Sequence, residues 1–164
     1  MQHFPRLLLI GLAGFALAAP VSAQRADDQI ASKSTDLQRQ GKALLGAGKL
    51  EQAEDALETA LAVDPRNRWA FVDLARVAEK QHLFGKAIRM TNKALLLEPN
   101  DPDAIAVQGE AMVEMGATAR AQANLQKLQA ICKGGCPQVA QLSGAISRGP
   151  TVAAAKAPES PKSN

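Results

Sequence analysis

The sequence predicts an all-α fold in which antiparallel helix pairs stack one after another. Three observations carry that prediction. A pattern of small and apolar residues recurs at a step of 34, the separation of Pro65 and Pro99. Leu37, Gly41, Leu44, Ala53, Leu57, Ala60 and Pro65 are answered by Phe71, Ala75, Ala78, Ala87, Thr91, Ala94 and Pro99. A looser third copy follows with Ile105, Gly109, Met112, Ala121, Leu125 and Leu128, with Lys133 in the proline position. Within each copy the first residues fall at i, i+4 and i+7, the spacing of one helix face. After residue 23 the only aromatics are Trp69, Phe71 and Phe84, so the core is one of Ala, Leu, Val and Ile, which suits closely packed helices.

Residues 1–23 read as a secretory leader. Arg6 precedes an apolar run from Leu7 to Ala19, and Val21-Ser22-Ala23 supplies the small residues that signal peptidase requires before Gln24. The run is well short of the ~20 apolar residues that a spanning helix needs, so no membrane span is expected after cleavage and the mature chain is expected in the periplasm or secreted. Residues 24–33 are polar and unpatterned, a flexible lead-in. The repeat domain then covers 34–147, with copies at about 34–67, 68–101 and 102–135.

The first helix starts near Ser34 or Thr35, either of which can cap it, and Gly48 closes it in the left-handed turn that follows many helix ends. The second runs from about Leu50 to Val63 and stops at Asp64-Pro65, because proline disfavours helical geometry in the residue before it. Asn67 can cap the third, whose inner stripe is Phe71, Leu74, Ala75 and Ala78. His82 then stands where the other copies have Gly48 and Gly116, and histidine tolerates positive φ better than most residues. A fourth helix spans about Phe84 to Leu97. Asp101-Pro102 gives a cap followed by proline at the first helical position of the fifth, which Gly116 ends, and the sixth covers about Thr118 to Ile131. Gly41 and Gly109 would each cost about 1 kcal/mol relative to alanine inside a helix, a loss that closer approach of paired helices can offset. Leu128, where the earlier copies have Ala60 and Ala94, predicts that the next element is not a regular repeat. That element is a capping helix over 137–147, with Val139, Leu142 and Ile146 on one face. Residues 148–164 are rich in Pro, Ala, Lys and Ser, the composition of a disordered tail.

The step, the helix-turn-helix pattern and the small residues at Gly41, Ala53, Ala60 and their counterparts resemble the tetratricopeptide repeat. The resemblance covers about 100 residues of the chain. It implies a right-handed superhelix that serves as an interaction scaffold, with the first helix of each pair lining a concave groove for a protein or peptide partner. On that basis the candidate groove residues are Trp69, Val72, Arg76 and Lys80 on the third helix, with Lys42 and Glu110 in the slots equivalent to Arg76. Trp69 stands about 200° round the helix from Phe71; its alternative place is against the preceding repeat near Leu61 or Ala62. Family members that clamp the carboxylate end of cytosolic chaperones resemble one another in a Lys, Asn, Asn, Lys, Arg set. The matching slots here hold Gln38, Lys42, Asp73, Asp103 and Val107, with two acids where the carboxylate would sit, so that activity is not expected.

The formal net charge is +3, too small an excess to indicate a nucleic-acid partner. Its distribution is uneven: three basic against six acidic residues over 34–65, then seven against three over 66–98. Complementary copies of this kind could steer a charged partner or support head-to-tail self-association, and the same counts also describe an ordinary solvated surface. Cys132 and Cys136 bracket Lys133-Gly134-Gly135 between the sixth helix and the cap. In an exported chain such a pair is expected as a disulfide that pins the cap; a thiol-redox role is the alternative, although the spacing has one residue more than Cys-x-x-Cys. No histidine follows Cys136 to attach haem, and His82 is the only histidine after the leader, so neither a cofactor nor a metal is expected. With no nucleophile, histidine and acid set and no phosphate-binding glycine loop, an enzyme is not expected either.

Overall fold

A computed structural model describes residues 30–133 and 135–151 of the chain. The expected leader at 1–23, most of the lead-in, and the tail beyond 151 lie outside the described residues. Those described form seven helices: α1 (Ser32–Gly46), α2 (Leu50–Val63), α3 (Arg68–Lys80), α4 (Phe84–Leu97), α5 (Pro102–Glu114), α6 (Thr118–Ile131) and α7 (Pro137–Arg148). Each packs on the next, and α1, α3, α5 and α7 also touch in sequence, so the odd helices make a continuous layer backed by the even ones. Among the described residues no helix is long and apolar enough to cross a membrane.

The turn that closes each odd helix is built three times in one way. Gly48, His82 and Gly116 have φ of 74°, 59° and 75°, so histidine takes the left-handed conformation that glycine adopts more cheaply. Asn67 and Asp101 cap α3 and α5, accepting hydrogen bonds from the Ala70 and Ala104 N–H groups at 3.2 and 3.0 Å. The first helix departs from expectation. It begins at Ser32 with no side-chain cap, and Ser34 lies buried inside it, donating to the Ala60 carbonyl at 2.7 Å and accepting from Asn67 Nδ2 at 2.9 Å. One buried hydroxyl therefore ties α1, α2 and the start of α3 together, and its geometry is satisfied on both sides, as burial of a polar group demands.

Ala53, Ala60, Ala75, Ala78, Ala87, Ala94 and Ala121 are fully buried, and they set the close spacing of the helices. A Cβ on Gly41 would stand 2.5 Å from Leu57 Cγ, so α1 and α2 meet where no side chain fits. A Cβ on Gly109 would stand 2.6 Å from Leu142 Cδ1. The helix that approaches Gly109 is thus α7 rather than its pair mate α6, a correction to the expectation of paired-helix contact at both glycines. Leu128 joins Ile105, Leu125 and Leu142 in one buried cluster; the larger side chain in the third copy fills the space under the cap.

Candidate functional site

The odd-helix layer encloses a cleft of about 660 Å³. Leu45 and Gly46 of α1, Leu50, Val107 of α5 and Gln141 of α7 supply its apolar and amide lining, and Arg76, Glu79, Lys80 and Glu110 its charges. Arg76 is held from below: its guanidinium donates to Asp73 at 3.0 Å and to Asp103 at 2.7 Å. Gln38 donates to Asp73, and Gln138 to Asp103 at 3.2 Å. The network crosses all four odd helices, which fixes the guanidinium and leaves little of its charge for a ligand.

The two glutamates are in a different position. Burial drives the Glu79 carboxyl up to about 8, and the neighbouring Glu110 charge adds to the rise against the opposing pull of Arg76 and Lys80. Burial also raises Glu110, but a hydrogen bond from Gln141 Nε2 at 3.0 Å partly offsets it. A second cavity of about 480 Å³ adjoins the first through Glu79, Lys80 and Glu110, and is completed by Glu114, Arg148 and Thr151 among others. Glu114 accepts two hydrogen bonds from Thr151, from its N–H to Oε2 and its hydroxyl to Oε1, each 2.9 Å.

Of the residues singled out from sequence, the structure brings Arg76, Lys80 and Glu110 together in the cleft. Trp69 lies outside it, 38% exposed at the start of α3, with the Arg68 guanidinium 4.2 Å above its ring. Lys42 is exposed on α1 and is not part of the cleft wall. Val72 corrects the sequence reading: it is only 2% exposed and packs with Ala75, Ala104 and Val107. The cause is that α3 is flanked by odd helices on both sides, so a residue turned away from α4 meets α5 before it meets solvent. Sequence reasoning missed Glu79, Leu45, Val107 and Gln141. The signal for Glu79 was present, since it follows Arg76 at i+3 and so shares its face. Gln141 carried none, because α7 has no counterpart in the earlier copies.

Cys132 and Cys136 meet between α6 and α7 with their sulfur atoms in contact and Cα atoms 5.6 Å apart. Among the described residues, no group of three or more His, Cys, Asp and Glu side chains is placed to hold a metal.

The 34-residue step, the positive-φ turns and the two-layer stack of helix pairs agree with the outcome of comparison: residues 44–110 match the tetratricopeptide repeat family. Residues 44–110 thus carry tetratricopeptide repeat sequence. The tetratricopeptide repeat domain of Sgt2 from Aspergillus fumigatus is similar with a TM-score of 0.66 at 19% identity, over 82% of this chain and 88% of that one. The TPR2B domain of yeast Sti1, in complex with pHsp70, is similar with a TM-score of 0.65 at 20% identity, over 72% and 98% of the two chains. The second such domain of human RPAP3, in complex with the HSP70 peptide SGPTIEEVD, gives 0.62 at 21%, over 69% and 94%. These TM-scores establish a shared fold. No curated protein matches. The described helix pairs thus form an all-helical solenoid, and α7 packs over the last pair, α5 and α6.

Proposed function

We propose that this domain is an interaction scaffold that holds an extended or helical segment of a partner protein in the cleft across α1, α3, α5 and α7. The observation that carries the reading is the cleft itself, which joins an apolar floor at Leu45, Leu50 and Val107 to ionisable groups at Lys80, Glu79 and Glu110. Such a mixture can both bury apolar side chains and fix register. Structural neighbours solved in complexes, human RPAP3 with an HSP70 peptide and yeast Sti1 with pHsp70, support a partner-holding role for a fold of this shape. The kind of peptide differs. An acidic carboxylate terminus would face Asp73 and Asp103, whose nearest cation, Arg76, is already paired to both.

The finer setting belongs to the same proposal. The leader-like start supports export, an exported chain would meet oxidising conditions, and the contact of Cys132 with Cys136 supports a bridge that fastens α7 to the last repeat. In that setting the cysteine pair is structural and the domain has no catalytic role.

The test reverses charge where the cleft is open. The full chain carrying Lys80→Glu with Glu110→Lys, checked for native helicity, should retain at least about tenfold less partner in an affinity capture than the unaltered chain, the effect of roughly 1.4 kcal/mol. Lys42→Glu, outside the cleft, should retain the same amount. Equal capture by the double variant would remove the cleft from the binding reaction.

A further inference from the structure

The chain leaves the last helix into the cavity that adjoins the cleft. After Gly149, with φ of 71°, it reaches Thr151, which is fastened to Glu114 by its N–H and hydroxyl and lines the cavity that contains Glu79, Lys80 and Glu110. These three residues are shared with the main cleft. At least 13 residues follow Thr151, beginning Val152-Ala153-Ala154-Ala155-Lys156. Five residues reach at most about 17 Å, more than the 8–10 Å between neighbouring packed helices, so a chain fixed at Thr151 can cross from α5 to α3 within that length.

We propose that Val152–Lys156 occupies the cleft of its own chain, with the small side chains against Val107 and Leu45 and the Lys156 ammonium beside the Glu110 carboxylate, within reach of the Glu79 carboxyl oxygens. Charge and size both favour this occupant. Counting Arg76, Lys80 and Arg148 against Asp73, Asp103, Glu79, Glu110 and Glu114, the cleft, the adjoining cavity and their supporting network hold three cations against five acids, a deficit of positive charge in a chain whose net charge is +3. Tethering does the rest: a segment fixed at Thr151 acts at a millimolar effective concentration, so a contact with a dissociation constant below that range stays largely made. The partner segment would then bind by displacing it. This rests on the cleft being the partner groove, but its test uses no partner.

The test compares the isotope-labelled full chain with its Lys156→Glu and Lys156→Ala variants by amide chemical shifts. The shifts of Leu45, Glu79, Val107, Glu110 and Gln141 should move in both variants while those of Glu51, Asp55 and Glu58 on α2 stay fixed. Raising salt to about 1 M, where the screening length is about 3 Å, should move the same resonances of the unaltered chain in the same direction. Changes confined to the immediate neighbours of residue 156 would overturn the proposal. Changes in the cleft that scale with chain concentration would overturn it too, by assigning the site to a second copy's segment. If the variants leave the cleft unchanged while Lys80→Glu with Glu110→Lys still loses the partner, the groove stands and only self-occupancy falls.

Discussion

The two ends of the solenoid use the same sequence position in different ways. In the first pair Gly41 admits Leu57 of α2; in the last, Gly109 admits Leu142 of α7. The repeat thus specifies a point of close approach but not which helix approaches. The cleft differs along its length in a parallel manner. One step before Glu79 stands Leu45, and two steps before Glu110 stands Lys42, which is outside the wall. The α1 side of the cleft is apolar, and its carboxyl groups stand on α3 and α5. Repetition builds the frame, and departures from repetition build the site.

Truncating the two approaching leucines is the most severe way to probe that difference. Leu57 and Leu142 are both fully buried, and replacing either with alanine should cost about 2–5 kcal/mol in urea unfolding. The losses should differ in kind. Leu57→Ala weakens the whole stack, whereas Leu142→Ala should loosen α7 first, seen as faster amide exchange in α7 than in α3. Equal loss of protection in both helices would show that the cap is as cooperative as any repeat.

Removing the cysteines acts on the cap alone. If Cys132 and Cys136 are bridged, the closed loop is short and the double Cys→Ser variant should lose about 2 kcal/mol, the low end for such links. That loss should be found in the exchange of α7 and the end of α6. Identical stability with and without a reducing agent in the unaltered chain would show that no bridge contributes.

Filling the glycines tests the comparison most directly. Gly41→Ala and Gly109→Ala each gain up to about 1 kcal/mol of helix propensity and meet an overpacking cost of about 1–3 kcal/mol. At Gly41 the added Cβ also meets the Ala53 carbonyl at 3.2 Å, which is backbone and cannot swing aside. At Gly109 the nearest three atoms all belong to Leu142, on a terminal helix that can shift. Gly41→Ala should therefore be the more destabilising, and Gly109→Ala with Leu142→Ala should fall short of the summed single losses, since residues in contact do not add.

These contrasts explain what could be read before the coordinates. The helix pairs were legible because the step is written twice in full, and His82 was legible because its slot is a glycine in the other copies. Val72 eludes a helical wheel, which divides residues into buried and exposed halves, because α3 packs against α1, α2, α4 and α5. Ser34 was taken for a cap because its hydroxyl suits one; its buried bond to Ala60 depends on a helix 26 residues away. Glu79 was missed because its counterparts, Leu45 and Val113, are apolar, so the repeat hides the charge that most distinguishes this cleft.

That charge supplies the smallest predicted effect and a clear sign. The unfolded chain ionises Glu79 near its ordinary 4.5, while the folded chain holds the proton until about 8. Between these values the native state binds more protons than the unfolded one, so this group makes stability fall as pH rises from about 4.5 to about 8, after which its contribution levels. The half-buried side chain can relax toward water and Lys80, so the fall should be on the order of 1 kcal/mol rather than the several that a rigid burial would give. Glu79→Gln carries no titrating proton, so the difference in unfolding free energy between it and the unaltered chain should grow across that window in the variant's favour. Glu54 titrates lower, because its hydrogen bond from Lys86 favours the charged form, and its contribution cancels in the difference. A difference that stays constant from pH about 5 to about 8 would mean that Glu79 is ionised throughout, and the acidic side of the cleft would then be as well solvated as the apolar side is not.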